Sequence, residues 1–190
     1  SCKRCGHAAA SVGGYALFAG GASSYNLLNF YENLVSAVDA YDASLTRSAA
    51  HIIGATVAIG GAAVGNYALF AGGTVYSQIN KDNVTSDVLA YDPSLTFTTA
   101  PLLSVARANV KGASNYALFA GGRAGSFCTT VDAYNASLTR TTATALSSTK
   151  NNSAAATVGN HAIFVGNTAS ADIYDASLTK TSAAILSTAR

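Results

Sequence analysis

Tyr15-Ala-Leu-Phe-Ala-Gly-Gly21 and, after a loop, Val38-Asp-Ala-Tyr-Asp-Ala-Ser-Leu-Thr46 form a phrase that this chain repeats. The first half returns as Tyr67–Gly73 and Tyr116–Gly122, and in decayed form as His161–Asn167. The second half returns as Val88–Thr96, Val131–Thr139 and Asp172–Thr179. Strand-like halves at a period of about 40–50 residues mean a stack of β units, each too small to bury its own apolar face.

The unit can be extended on both sides of the phrase. A small-residue segment precedes it in every copy, such as His7–Val12 and Gly60–Val64, and a two-residue turn joins the two. The turns are Gly13-Gly14, Gly65-Asn66, Ser114-Asn115 and Gly159-Asn160. Gly and Asn tolerate positive φ, so such a pair between apolar runs predicts a hairpin. Ala-Ser-Leu-Thr, or Pro93-Ser-Leu-Thr96, predicts a second tight turn, and a Thr/Ser/Ala-rich strand follows. Each unit therefore holds four antiparallel strands, over residues of about 4–50, 51–103, 104–149 and 150–190 within one domain spanning 1–190. The aromatic and leucine residues of Tyr-Ala-Leu-Phe, and the leucine of Ser-Leu-Thr, are expected to fill the space between neighbouring units.

The run of a basic residue, a small apolar strand, a Gly-Asn turn, a strand ending in Gly-Gly, a variable loop and Tyr-Asp resembles the Kelch repeat. The residues that carry the resemblance are Gly20-Gly21, Gly72-Gly73 and Gly121-Gly122 with Tyr41, Tyr91, Tyr134 and Tyr174. It covers residues 4–190. Two features depart from it: the chain has no tryptophan, and the fourth unit has Gly166-Asn167 in place of the glycine pair. The resemblance implies an all-β fold, a β-propeller built from four Kelch-like four-stranded antiparallel repeats. Kelch propellers have six or seven blades, so four units leave three arrangements open. These are a tight four-bladed ring, a homo-oligomer that completes a ring between chains, and a segment of a longer protein.

Composition narrows the function classes. Of the 190 residues only 11% are charged and the net charge is +2, with no cluster of Lys and Arg. That argues against a nucleic-acid partner, which needs a basic stripe. No run reaches the roughly 18 apolar residues of a membrane helix. Ser1–Arg4 carries no apolar signal segment, and low charge with abundant Ala and Thr leans toward an extracellular or surface setting. Three cysteines (Cys2, Cys5 and Cys128) cannot form a disulfide framework, and Cys2-x-x-Cys5-x-His7 supplies too few ligands for structural zinc. Glu32 is the single glutamate and most aspartates sit in repeat register, so the paired carboxylates of a glycosidase are not evident. No nucleophile elbow or P-loop is present. We expect neither catalytic residues nor a cofactor.

What varies between units is the connection after the glycine pair: Ala22–Ala37, Thr74–Asp87, Arg123–Thr130 and Thr168–Ala171. Variable loops on a constant scaffold are where function is expected. The candidate face for a protein or glycan partner comprises Tyr25, Tyr31, Tyr76, Arg123 and Phe127 with the junction cations Arg107 and Lys150, since aromatics and Arg make good anchors. Leu27, Leu28 and Phe30 are expected to fold the longest loop back over a neighbouring unit. The cations recur once per unit, which favours a structural role for them. Two alternatives stand beside a binding module: a purely structural, self-assembling unit, and the non-catalytic part of a carbohydrate-active enzyme.

Overall fold

A computed structural model describes residues 4–25, 31–51, 53–75, 83–114, 116–150, 153–166, 168–182 and 186–188. Every regular element among them is a β-strand. Four sheets of four antiparallel strands follow one another along the chain. The first contains Ala8–Val12, Tyr15–Ala19, Val38–Tyr41 and Arg47–Ala50, and the second Gly60–Val64, Tyr67–Ala71, Val88–Tyr91 and Phe97–Thr99. The third contains Lys111–Ala113, Ala117–Ala120, Val131–Tyr134 and Arg140–Ala143. The fourth contains Ala154–Val158, His161–Gly166, Thr168–Tyr174 and Lys180–Ser182. In each sheet the strands pair in sequence order, an arrangement compatible with a propeller-like fold.

The alternation of side chains across each strand makes a sheet two-faced, and both faces are used. Leu17, Ala19, Val38 and Ala40 project toward the second sheet, which meets them with Ala68, Phe70 and Tyr91. Leu69, Ala71, Val88 and Ala90 meet Ala117, Phe119 and Tyr134 of the third sheet. Leu118, Ala120, Val131 and Ala133 meet Ala162, Phe164 and Tyr174 of the fourth. The core is thus three successive inter-sheet layers. Burying each Phe contributes about 1.5–3 kcal/mol, which no single four-stranded unit collects alone. Each Phe also stands edge-on to its Tyr, at centroid separations of 5.8–5.9 Å in the last three sheets. Among the described residues no such layer joins the fourth sheet to the first.

Tyrosine hydroxyls latch the layers. Tyr91 donates to the His51 carbonyl (2.8 Å), Tyr134 to Pro101 (2.7 Å) and Tyr174 to Thr144 (2.6 Å), each time to the segment just after the last strand of the preceding sheet. Burial raises the pKa of all three phenols, that of Tyr91 to about 12.

Two local results depart from expectation. The connection Thr168–Ala171 is no loop, because the third strand of the fourth sheet starts at Thr168 and pairs back to Gly166 across a bulge. A connection that short leaves no chain to form a separate loop. The Ser-Leu-Thr turns place leucine, not glycine, at positive φ: 63° at Leu45, 61° at Leu95, 57° at Leu138 and 62° at Leu178. A left-handed leucine costs about 1–2 kcal/mol, so something must hold it there. Leu95, Leu138 and Leu178 pack against the inter-sheet layers, which offsets the strain.

The same turns carry the exposed carboxylates. Asp42 Oδ1 accepts from the Ser44 hydroxyl (2.6 Å) and from the Ser44 and Thr46 amides (2.9 Å each). Asp92 and Asp175 repeat the arrangement, with their own Ser hydroxyl as the leading bond, and all three carboxyls are held below their ordinary value. A folded-state pKa below the unfolded one, about 3.9, gives stability that is present above that pH and fades as pH falls through the folded values. Asn135 makes the same two amide bonds in the third sheet without a titratable group. The triple change Asp42→Asn, Asp92→Asn and Asp175→Asn should therefore leave the urea midpoint at neutral pH nearly unchanged and flatten its fall below about pH 4. An acid limb as steep as that of the parent would contradict this account.

Candidate functional site

In an antiparallel four-stranded unit, the second-to-third connections and the junctions into the next unit lie at the same end of the sheets. The glycine pairs are bound there. Gly20 and Gly21 have φ of 68° and 103°, which only glycine adopts freely. That conformation lets the Gly21 amide donate to Thr56 O of the next unit (2.8 Å), as the Gly73 amide donates to Arg107 O (2.9 Å). The residue after each pair bridges to its own junction: Ala22 to Cys5, Thr74 to Val57 and Arg123 to Ala108. Asn109 donates to Ala58 O and Ala58 to Gly6 O, at 2.8 Å each, so consecutive junctions are tied in series.

Below this stitched end lie ion clusters. Asp132 is fully buried and accepts from Arg107 (2.8 Å) and Arg140 (2.9 Å). The Ser104 amide and hydroxyl also donate to it, at 3.1 and 3.0 Å. The remaining donors of Arg107 reach Gly121 O, Phe119 O and Val105 O at 2.9–3.0 Å. The first sheet builds the same cluster from Asp39, Arg4 and Arg47, and the fourth from Asp172, Lys150, Lys180 and Ser147. Arg107 and Lys150 therefore do not reach the predicted partner face. They are 0% and 2% exposed, and their charged ends are spent on the carboxylates and carbonyls of their own unit.

Among the described residues the second sheet has no such cluster, and all its members change together. Leu89 stands where the others have Asp, and Phe97 where they have Arg or Lys. Thr56 holds the junction position of Arg107, and Gly54, following Ile53, that of Ser104. His51 stacks on Phe97 at 4.0 Å, so an apolar and aromatic plug fills the space. Removing one charge from a buried cluster strands its partner, and only the concerted change avoids this.

The other expected site residues are placed as follows. Tyr25 and Tyr31 pair with each other through their backbones in the small ribbon Ala22–Tyr25 with Tyr31–Leu34. Tyr76, Leu27, Leu28 and Phe30 lie outside the described residues. Arg123 and Phe127 pair in a second ribbon, Arg123–Ala124 with Ser126–Phe127, where both side chains are exposed. Arg123 Nε donates to Gly125 O (3.1 Å), which holds its guanidinium along the ribbon. The structure thus brings Arg123 and Phe127 together and separates them from the cations. Among the described residues no three His, Cys, Asp or Glu side chains converge on a metal-sized space, and Cys5 and Cys128 are free thiols.

One concave surface lies apart from the expected site residues. It is a groove of about 500 Å³ on the outer face of the first sheet, lined by Phe18, Tyr41 and Leu45 together with Arg4, His7 and Asp39. Its signal was available, because Phe18, Tyr41 and Leu45 repeat as residues that other units bury. No protein family and no curated protein matches this chain.

Proposed function

We propose that the chain is a non-enzymatic module of the Kelch-like propeller kind, which binds a protein or glycan through its second-to-third connections. One observation carries the reading: the buried charges of the first, third and fourth units are consumed by the scaffold, while the connections after the second strands differ in sequence from unit to unit. Arg123 and Phe127, side by side on an exposed ribbon, present a cation and an aromatic face at one connection. Such a pair suits the planar faces of sugars or a peptide side chain.

Binding to an immobilised glycan array and to extracellular protein fractions should survive in the parent. It should fall at least tenfold in the double variant Arg123→Ala/Phe127→Ala, with no change in thermal midpoint. Undiminished binding by that variant would remove the ribbon from the site. A second reading, a self-assembling structural unit, is favoured by the uncovered outer face of the first sheet.

A further inference from the structure

The two end sheets differ from the two middle ones in a way that the repeat makes measurable. Ala68, Phe70 and Tyr91 are at most 1% exposed because the first sheet covers them, and the matching residues of the third and fourth sheets are covered likewise. Their counterparts in the first sheet are open: Ala16 is exposed, and Phe18 and Tyr41 are half-buried. Leu45 is 80% exposed although it holds the same left-handed backbone as its packed equivalents. That leucine bears the strain without the contact that offsets it elsewhere. Tyr41 likewise has no carbonyl, among the described residues, in the place that His51, Pro101 and Thr144 take for the other tyrosines.

The fourth sheet shows the converse. Val12 and Val64 are 6% and 7% exposed, whereas Val158 at the same position is 62% exposed. Leu17, Leu69 and Leu118 are fully buried, whereas Ile163 is not. A Cβ at Gly13 would sit 2.4 Å from Pro93 of the next sheet, and one at Gly65 would sit 2.7 Å from Ala136. Around Gly159 there is nothing within 4 Å. Terminal units that face water carry polar outer surfaces, whereas Phe18, Tyr41 and Leu45 on the first sheet and Val158 and Ile163 on the fourth are apolar side chains left uncovered.

We propose that the outer face of the first sheet is a docking surface for a second copy of this chain, which seats the outer face of its fourth sheet there. The contact continues the interface that already joins consecutive sheets three times. Val158 and Ile163 would cover Phe18, Tyr41 and Leu45, and the Gly159 turn would receive Ala43, which holds the position of Pro93 and Ala136. The two surfaces differ, so the association is head-to-tail and propagates into a ring or a filament. This surface is separate from the Arg123–Phe127 ribbon, and the inference does not depend on the binding role proposed for that ribbon.

Light scattering behind a sizing column, under reducing conditions and at micromolar concentrations, tests it. The parent should elute at two or more times the monomer mass of 19.1 kDa. Leu45→Asp and Val158→Asp each change an exposed residue, and each should run as a monomer with unchanged circular dichroism. Mixed in equal amounts, the two should form a dimer and nothing larger, since one good surface of each kind remains. Ala16→Glu, paired with Val158→Asp, repeats the test without touching Leu45. A monomeric parent would overturn the proposal, and so would a Val158→Asp variant that still dimerises, because a two-fold contact between first sheets would then be in use.

Discussion

Arg107→Ala should cost about 3–5 kcal/mol of folding stability, a large share of the 5–15 kcal/mol that a domain of this size possesses. The loss is not that of an ordinary ion pair. Both Arg107 and Asp132 have fully buried side chains, so truncating the cation leaves a carboxylate in the interior, held by Arg140 and Ser104 alone. It also strips hydrogen bonds from Phe119 O and Gly121 O, which have no water to turn to. By contrast, Arg47→Ala should cost no more than about 1 kcal/mol, since that side chain is 47% exposed and Asp39 keeps Arg4. The second sheet supplies a further test. Installing its residues in the third, as Ser104→Gly, Arg107→Thr, Asp132→Leu and Arg140→Phe together, should recover most of the lost stability. Buried ion clusters exchanged whole for apolar groups are often neutral or better. Urea unfolding curves with constant slope would show both effects. A quadruple variant as unstable as Arg107→Ala alone would mean that the cluster itself stabilises the fold.

That contrast also separates what the sequence reveals from what it hides. The glycine pairs, the two-residue turns and the recurrent tyrosines are local signals: each is set by backbone geometry within a few residues, and the four sheets formed where they predicted. The direction of Arg107 and Lys150 is not local. A long cation at a junction can extend outward or turn beneath the chain, and only a carboxylate in the same unit decides. The clue was present, because units with Asp at position 39, 132 or 172 have a junction cation and the unit with Leu89 does not. It was obscured by the junction before Thr56, which is one residue shorter than the one before Arg107. The left-handed leucines are hidden for a different reason. Propensity assigns such positions to Gly or Asn, and tertiary packing overrides it at Leu95, Leu138 and Leu178. The recurrence of Phe and Tyr made the inter-sheet layers legible, but not which sheet would be left without a neighbour.

Gly112→Ala is expected to destabilise by about 3 kcal/mol or more, the upper end of overpacking costs. Gly112 has no positive φ, so backbone freedom is not why it is glycine. A Cβ built there falls 2.0 Å from the Gly61 carbonyl oxygen and 2.6 Å from its carbon. Gly61 in turn has room for no Cβ against Ala9 O, at 2.4 Å. The first strands of successive sheets thus run backbone against backbone, and no rotamer change can relieve a methyl placed between them. One sheet would have to withdraw, opening the layer of Leu69, Ala90, Phe119 and Tyr134 behind it. The third and fourth sheets are spaced differently. Ala155 occupies the equivalent position, and Thr157 bridges the gap by accepting from the Ser114 amide (2.9 Å) and donating to Ser114 O (3.2 Å). Ala155→Gly should accordingly cost only the intrinsic glycine penalty of about 0.5–1 kcal/mol. Denaturant unfolding of the two variants therefore measures the packing of adjacent first strands directly. If Gly112→Ala lies within about 1 kcal/mol of the parent, the sheets can part without losing their shared layer, and the close approach is not what positions them.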